Sequence, residues 1–448
     1  MSTLRSLLPQ RILLPVQEFI QTEAAGGVVL LAAALAALVW ANSPLDGAYF
    51  DLWETRVSFD VQVFAASQDL QHWVNDALMV VFFFVVGLEI KREMLHGELA
   101  GPKRAALPVA AALGGMAAPA LIFAAFNAGG EGAKGWGIPI ATDIAFAIGV
   151  LALLGDRIPS GLRVFLLALA IVDDIGAILV IAVFYTESLA WDSLAIAGGL
   201  LALIVAMQLA GVRNMVLYLV AGVALWAAMF ESGVHATIAG VLLGLLTPSR
   251  PPRAETAFKR EAESLLAQYR EAAAEEDIER VQAVLGELEE VAAESAAPLE
   301  RLERLLHPWS SFLVVPAFAL ANAGVHLSGG LISDSAASPV TWGVLLGLVT
   351  GKLAGVCAAA WLAVRLRLAE MPAGIGWTHL AGAGLLAGIG FTVSLFVTGL
   401  AFADGQLVGE AKVGILAASV IAGVAGYTFL RLVGKPSPAG GQAEAAGA

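Results

Sequence analysis

Along the chain, apolar stretches alternate with short runs of Gly, Pro and charged residues, and the stretches are long enough to cross a bilayer core about 30 Å thick. They predict about twelve spans, at roughly 24–41, 74–90, 105–127, 136–154, 161–185, 192–211, 214–230, 233–247, 308–324, 340–364, 379–401 and 411–432. Two of these read as poor continuous helices. The fourth contains Gly137, Pro139, Thr142 and Asp143; the eleventh contains Gly382, Gly384, Gly388, Gly390, Thr392 and Ser394. They lie seven spans apart, and an odd offset makes corresponding spans run in opposite directions. Pairing the third to fifth spans with the tenth to twelfth therefore gives an inverted-topology repeat. The expected fold class is an all-α polytopic membrane protein with two interrupted, crossing helices.

Two stretches depart from this pattern. Between Arg250 and Leu306 the chain turns charged and Ala/Glu-rich, with Phe258, Leu265, Leu266 and Tyr269, then Ile278, Val281, Leu285 and Leu288, at helical spacing. That predicts one or two amphipathic cytoplasmic helices ended by Pro298. The segment TRVSFDVQVF (55–64) alternates like a strand. The expected organisation is a lead-in (1–23), two spans with the strand-like connector (24–100), a first core repeat (101–187) and three panel spans (188–249). The charged loop (250–306), a ninth span (307–325), a second core repeat (326–433) and a tail (434–448) follow.

Composition agrees with this reading and excludes a soluble globular protein: 58% of the 448 residues are hydrophobic and 14% charged, with a mean hydropathy of +0.80. A net charge of −13 argues against a nucleic-acid partner, and much of the excess lies between Arg250 and Glu303. The single cysteine, Cys357, excludes an intrachain disulfide. The first residues carry two prolines and no clear small-x-small cleavage site, so they read as a retained lead-in. Basic residues alternate with the loops: Arg5 and Arg11, then Lys91, Arg92, Lys103 and Arg104, then Arg157 and Arg163, then Arg213, Arg365, Arg367, Arg431 and Lys435. The opposite loops hold only Arg56 and Lys134, with Lys412 near an edge, which puts both termini in the cytoplasm.

The candidate chemistry centres on Asp173 and Asp174, in the middle of an otherwise uncharged run from Leu162 to Tyr185. At about 1.5 Å per residue they fall near the bilayer midplane, where an ionised carboxylate costs roughly 2.5–3.5 kcal/mol. A proton or a bound cation would relieve that cost. Neighbours on a helix point about 100° apart, so the two carboxylates face different partners. Two so close also resist simultaneous ionisation, and a hard monovalent cation then competes with protons for the same oxygens. Thr142 and unwound carbonyls would complete its shell. Interrupted segments at matching places in inverted halves point to a transporter's central site. There, opposed half-helix ends present positive N-termini and negative C-termini: an aspartate, Asp143, answers the first and a lysine, Lys352, the second.

The strings ATDIAFAIGVLALLG (141–155), LALAIVDDIGAILVIA (167–182), SGVHATIAGVLLG (232–244), HPWSSFLVVPAFALANAGV (307–325), GKLAG (351–355) and GIGFTVSLFV (388–397) closely resemble the NhaA-type sodium/proton antiporters of bacterial inner membranes. GGVVLLAAALAALVWANSP and NDALMVVFFFVVGLEIKRE resemble them too, and the likeness runs from Glu23 to Arg431 apart from the charged loop. The resemblance implies electrogenic exchange of Na+ or Li+ for H+, a homodimer and no cofactor. It also implies that Asp174 is the principal cation ligand, that Asp173 joins the proton-linked chemistry with Lys352, and that Thr142 and Asp143 lie at the crossing. Glu89, Glu93 and Glu303, with His235 elsewhere, match positions associated with pH-dependent activation. Family members often carry a β-hairpin between the first two spans, whereas 55–64 lacks a clear Gly-containing turn.

Other functions fit parts of the pattern. An exchanger of another cation such as K+, or a sodium-coupled symporter, would use a similar midplane site, but few polar groups remain to bind an organic solute. An intramembrane aspartyl protease also uses two buried aspartates, yet needs them on separate helices to face one peptide. A passive channel would need no alternating access.

Overall fold

The computed structural model describes residues 23–61, 64–186, 189–212, 214–250, 255–275, 277–295, 297–372 and 374–434. The lead-in before Glu23, the tail after Gly434 and Arg213 lie outside them. Among the described residues, the regular structure is helical apart from one two-stranded hairpin. Seven helices among the described residues are long and apolar enough to cross a membrane: α3 (Leu70–His96), α4 (Pro102–Asn127), α6 (Ser160–Phe184), α7 (Trp191–Leu209), α12 (Pro298–Asn322), α14 (Pro339–Arg365) and α17 (Gly405–Val433). The number rises to ten if each of three bent pairs is one span. The pairs are α1 (Glu23–Ala41) with α2 (Asp46–Glu54), the 3₁₀ segment Glu131–Ile140 with α5 (Ile144–Ala152), and α15 (Trp377–Leu386) with α16 (Phe391–Ala401). Two shorter apolar helices, α8 (Met215–Glu231) and α9 (Thr237–Leu246), lie between α7 and the charged region, and a short helix α13 (Gly329–Ala337) precedes α14.

The breaks follow from local chemistry. The second pair bends by 42° and the third by 47°. At the first of these breaks Ala141 and Asp143 are extended, and the Asp143 side chain accepts the Phe146 N–H to cap α5. Helix α6 is the most enclosed span, with 56% of its apolar window buried, against 11% for α7. So the aspartate pair sits on the innermost helix. Its neighbour α4 packs backbone to backbone on α14: a Cβ on Gly114 would meet the Gly355 carbonyl oxygen at 2.3 Å, and one on Gly355 would meet the Gly114 carbonyl oxygen at 2.1 Å. Only glycine permits that approach. It sets Lys352, less than a turn before Gly355, with its stem along Gly115 of α4.

Two sequence expectations are revised. The connector after α2 is a hairpin of β1 (Arg56–Val61) and β2 (Phe64–Asp69), antiparallel with Arg56 opposite Asp69 and Val61 opposite Phe64. The alternation at 55–64 thus marks the first strand and only the first residue of the second. Pro298 opens a helix rather than ending one: it occupies the first turn of α12, where its missing N–H costs nothing. The charged helices end before it, as α10 (Glu255–Ala274) and α11 (Ile278–Ser295). They close on Leu265, Val284 and Val291, with Leu288 beside them, while Ile278 stays exposed.

Candidate functional site

The two interrupted pairs meet at their breaks. The Asp143 N–H donates to the Ile389 carbonyl at 2.6 Å, and Thr142 Oγ1 lies 2.9 Å from the Ala387 carbonyl oxygen. Asp143 serves both following half-helices at once. Its Oδ1 accepts from Phe146 N at 3.0 Å in α5, and its Oδ2 accepts from Thr392 N at 3.0 Å and Thr392 Oγ1 at 2.7 Å at the start of α16. One carboxylate therefore sits on two helix N-termini, where unpaired N–H groups and the partial positive charge favour an anion. Lys352 occupies the complementary place, its Nζ donating to the Ile140 carbonyl at 2.6 Å, the last residue of the 3₁₀ segment.

The aspartate pair separates as the 100° rule requires. Asp173 Oδ2 accepts from Lys352 Nζ at 2.5 Å and from Thr142 Oγ1 at 2.7 Å, and both members of the ion pair are completely buried. Its other oxygen, Oδ1, is buried with no hydrogen-bond partner. Among the described residues the Asp174 carboxyl receives no hydrogen bond, although it is only 4% exposed. The charges of Asp173, Glu89, Asp143 and Lys352 all act on it. A carboxyl buried without a donor does not stay an isolated anion; it holds a proton or a cation. Thr142, Asp143, Asp173, Asp174 and Lys352 thus form one cluster.

The remaining candidates divide. Glu89 feels the charges of Glu303, Arg92 and Glu93. Arg92 pairs with Glu303, a side chain of α12, and approaches Glu93 at 3.7 Å. Glu93 Oε2 also accepts the Glu98 N–H at 3.1 Å. These three glutamates are brought together near the end of α3, and Glu89 reaches the field of Asp174. His235 is not among them. Its Nε2 contacts the Tyr185 carbonyl at 2.8 Å, eleven residues along the chain from Asp174, or about 16 Å of helix.

Several contributing groups were not legible as such. Thr392 was visible as a polar residue in a glycine-rich span, but its bond to Asp143 depends on the other half of the molecule. Arg92 read only as a loop charge for orientation. The carbonyls of Ile140 and Ala387 have no side-chain signal at all; the nearest clue is the adjacent breaks. Among the described residues, no group of three or more His, Cys, Asp or Glu is placed to hold a metal ion.

Comparison with known proteins agrees with the resemblance noted above. The model of the family described as "Na+/H+ antiporter 1" matches residues 17–430. A "Na(+)/H(+) antiporter NhaA 2" of Sorangium cellulosum is 48% identical over 434 residues, covering 97% of this chain and 93% of the relative. A protein of the same name from Syntrophotalea carbinolica is 47% identical, covering 93% of this chain and 96% of its own length. A "Na(+)/H(+) antiporter NhaA" of Anaeromyxobacter is 49% identical, covering 94% and 92%. With matches of this extent, the chain belongs to the Na+/H+ antiporter 1 family, membrane transporters rather than enzymes.

Proposed function

We propose that the protein exchanges Na+ or Li+ for H+ across the bacterial inner membrane by alternating access, with protons and the cation competing for Asp173 and Asp174. The observation that carries this is the contrast within the pair: Asp173 is held by Lys352 and Thr142, while Asp174 meets no donor. Before the cation arrives the lysine neutralises Asp173, and a proton neutralises Asp174 in this scheme. A cation arriving at Asp174 finds the free Oδ1 of Asp173 as a second ligand, with hydroxyls, carbonyls or water for the rest. As Asp173 turns its charge toward the cation, its ion pair with Lys352 weakens. Asp174 gives up its proton as the cation binds, and the exchange is electrogenic, with more protons than cations moved per cycle.

The architecture supports the same reading. Adding α8 and α9 to the ten spans gives the twelve expected from sequence, with the third to fifth and tenth to twelfth as inverted repeats whose breaks cross. Those two repeats (101–187 and 326–433) would form the moving core, with 24–100, 188–249 and 307–325 as the panel. The hairpin is suited to pairing across a homodimer, and the loop charges favour both termini in the cytoplasm. Glu89, Glu93 and Glu303 form the pH-responsive entrance, in electrostatic contact with Asp174 through Glu89, and His235 a separate pH-linked position. Everted vesicles with a pH-reporting dye test the proposal. Na+ or Li+ should restore quenched fluorescence and Asp174→Asn should abolish the response; dequenching by K+ but not Na+ would overturn it.

A further inference from the structure

The 3₁₀ segment Glu131–Ile140 is ten residues long, whereas such helices rarely exceed three or four residues because their hydrogen-bond geometry is poor. Side chains from outside it make up the difference. Ser394 Oγ donates to the Ile138 carbonyl at 2.7 Å and Lys352 Nζ to the Ile140 carbonyl at 2.6 Å. The third is Tyr185, a buried residue just past the end of α6. Its hydroxyl donates to the Lys134 carbonyl at 2.7 Å and accepts the Gly137 N–H at 3.1 Å. A Cβ at Gly137 would lie 2.6 Å from that hydroxyl, so the phenol is seated where any side chain at 137 would stand.

What the phenol holds is a length. A 3₁₀ helix rises about 2.0 Å per residue and an α-helix 1.5 Å, so relaxing ten residues into α-helix shortens the segment by about 5 Å. The Ile140 carbonyl closes that segment, and the Thr142 hydroxyl lies two residues beyond. Both are partners of the buried Lys352–Asp173 pair. A retraction of that size takes both out of hydrogen-bond range.

We propose that Tyr185 is a positioning residue for cation exchange: its hydroxyl keeps the 3₁₀ segment stretched, and thereby keeps Ile140 and Thr142 against the Lys352–Asp173 pair. The inference rests on the exchange site proposed above. Tyr185→Phe removes the hydroxyl and keeps the ring's volume. In everted vesicles it should raise the KM for Na+ about tenfold, the scale of one lost hydrogen bond, with Vmax within twofold of the wild type. Gly137→Ala should give the same split by displacing the hydroxyl. Hydrogen–deuterium exchange of purified Tyr185→Phe should increase across 131–140. An unchanged KM, or a fall in Vmax alone in step with a lower melting temperature, would assign the phenol to packing and overturn the proposal. Wild-type vesicles run alongside separate the two readings. No Na+-driven response there sinks the exchange site itself, whereas normal wild-type exchange with an unaltered mutant KM sinks only the role of Tyr185.

Discussion

Replacing Asp143 tests whether one carboxylate holds both broken spans together. In Asp143→Ala a buried backbone donor, Thr392 N–H, and a partly buried one, Phe146 N–H, lose their acceptor. Each orphaned donor costs about 1–3 kcal/mol, while the Thr392 hydroxyl can rotate to another acceptor. The expected loss is therefore about 1–4 kcal/mol, the full cost at Thr392 and a smaller one at Phe146, less whatever is regained by no longer burying a charge. Asp143→Asn separates capping from charge. Its amide oxygen can still cap one helix, since Asn is as good an N-cap as Asp, but its NH2 group then faces a donor at the other. The Asn variant should lose about half as much stability and retain exchange, with a changed KM for Na+. Thermal unfolding of the purified protein followed by fluorescence-detected gel filtration gives the stabilities, and vesicle dequenching gives the exchange. Equal melting temperatures for Ala and Asn, or an Ala variant as stable as the wild type, would refute the double-cap argument.

The two midplane aspartates should respond oppositely in stability. Asp173→Asn leaves Lys352 as a buried cation without its partner and should cost about 3–5 kcal/mol, whereas Asp174→Asn removes a carboxyl that no donor holds and should melt at or above the wild-type temperature while losing exchange; matching melting curves would contradict this. Lys352→Ala should keep part of the cation binding measured by calorimetry but move the pH profile of exchange, and an unmoved profile would take the lysine out of the mechanism.

The breaks were legible because their causes are local. Gly137, Pro139, Gly388 and Gly390 disfavour helix wherever they stand, and Asp143 announces a cap. Apolar periodicity likewise located the buried α6 and its aspartates. What escaped was determined across the molecule. Nothing in Tyr185, the last residue of an apolar run, indicates that its hydroxyl reaches a segment forty-eight positions earlier in the chain. The hairpin was half read because the alternation was followed only to Phe64, whereas β2 continues to Asp69. Pro298 was misassigned for a different reason: proline is equally at home after a helix and in the first turn of the next, and only the path of the following residues decides.

The glycine contact between α4 and α14 bears on how far charge can travel during transport. With Gly114 and Gly355 interlocked at the backbone, sliding one helix past the other would drive carbonyl oxygens into Cα atoms. Lys352 is consequently fixed at its root, and only its side chain can swing. The electrical stroke contributed by this ammonium is bounded by the reach of four methylenes, and the rest of any voltage sensitivity must come from the ion itself or from other charges.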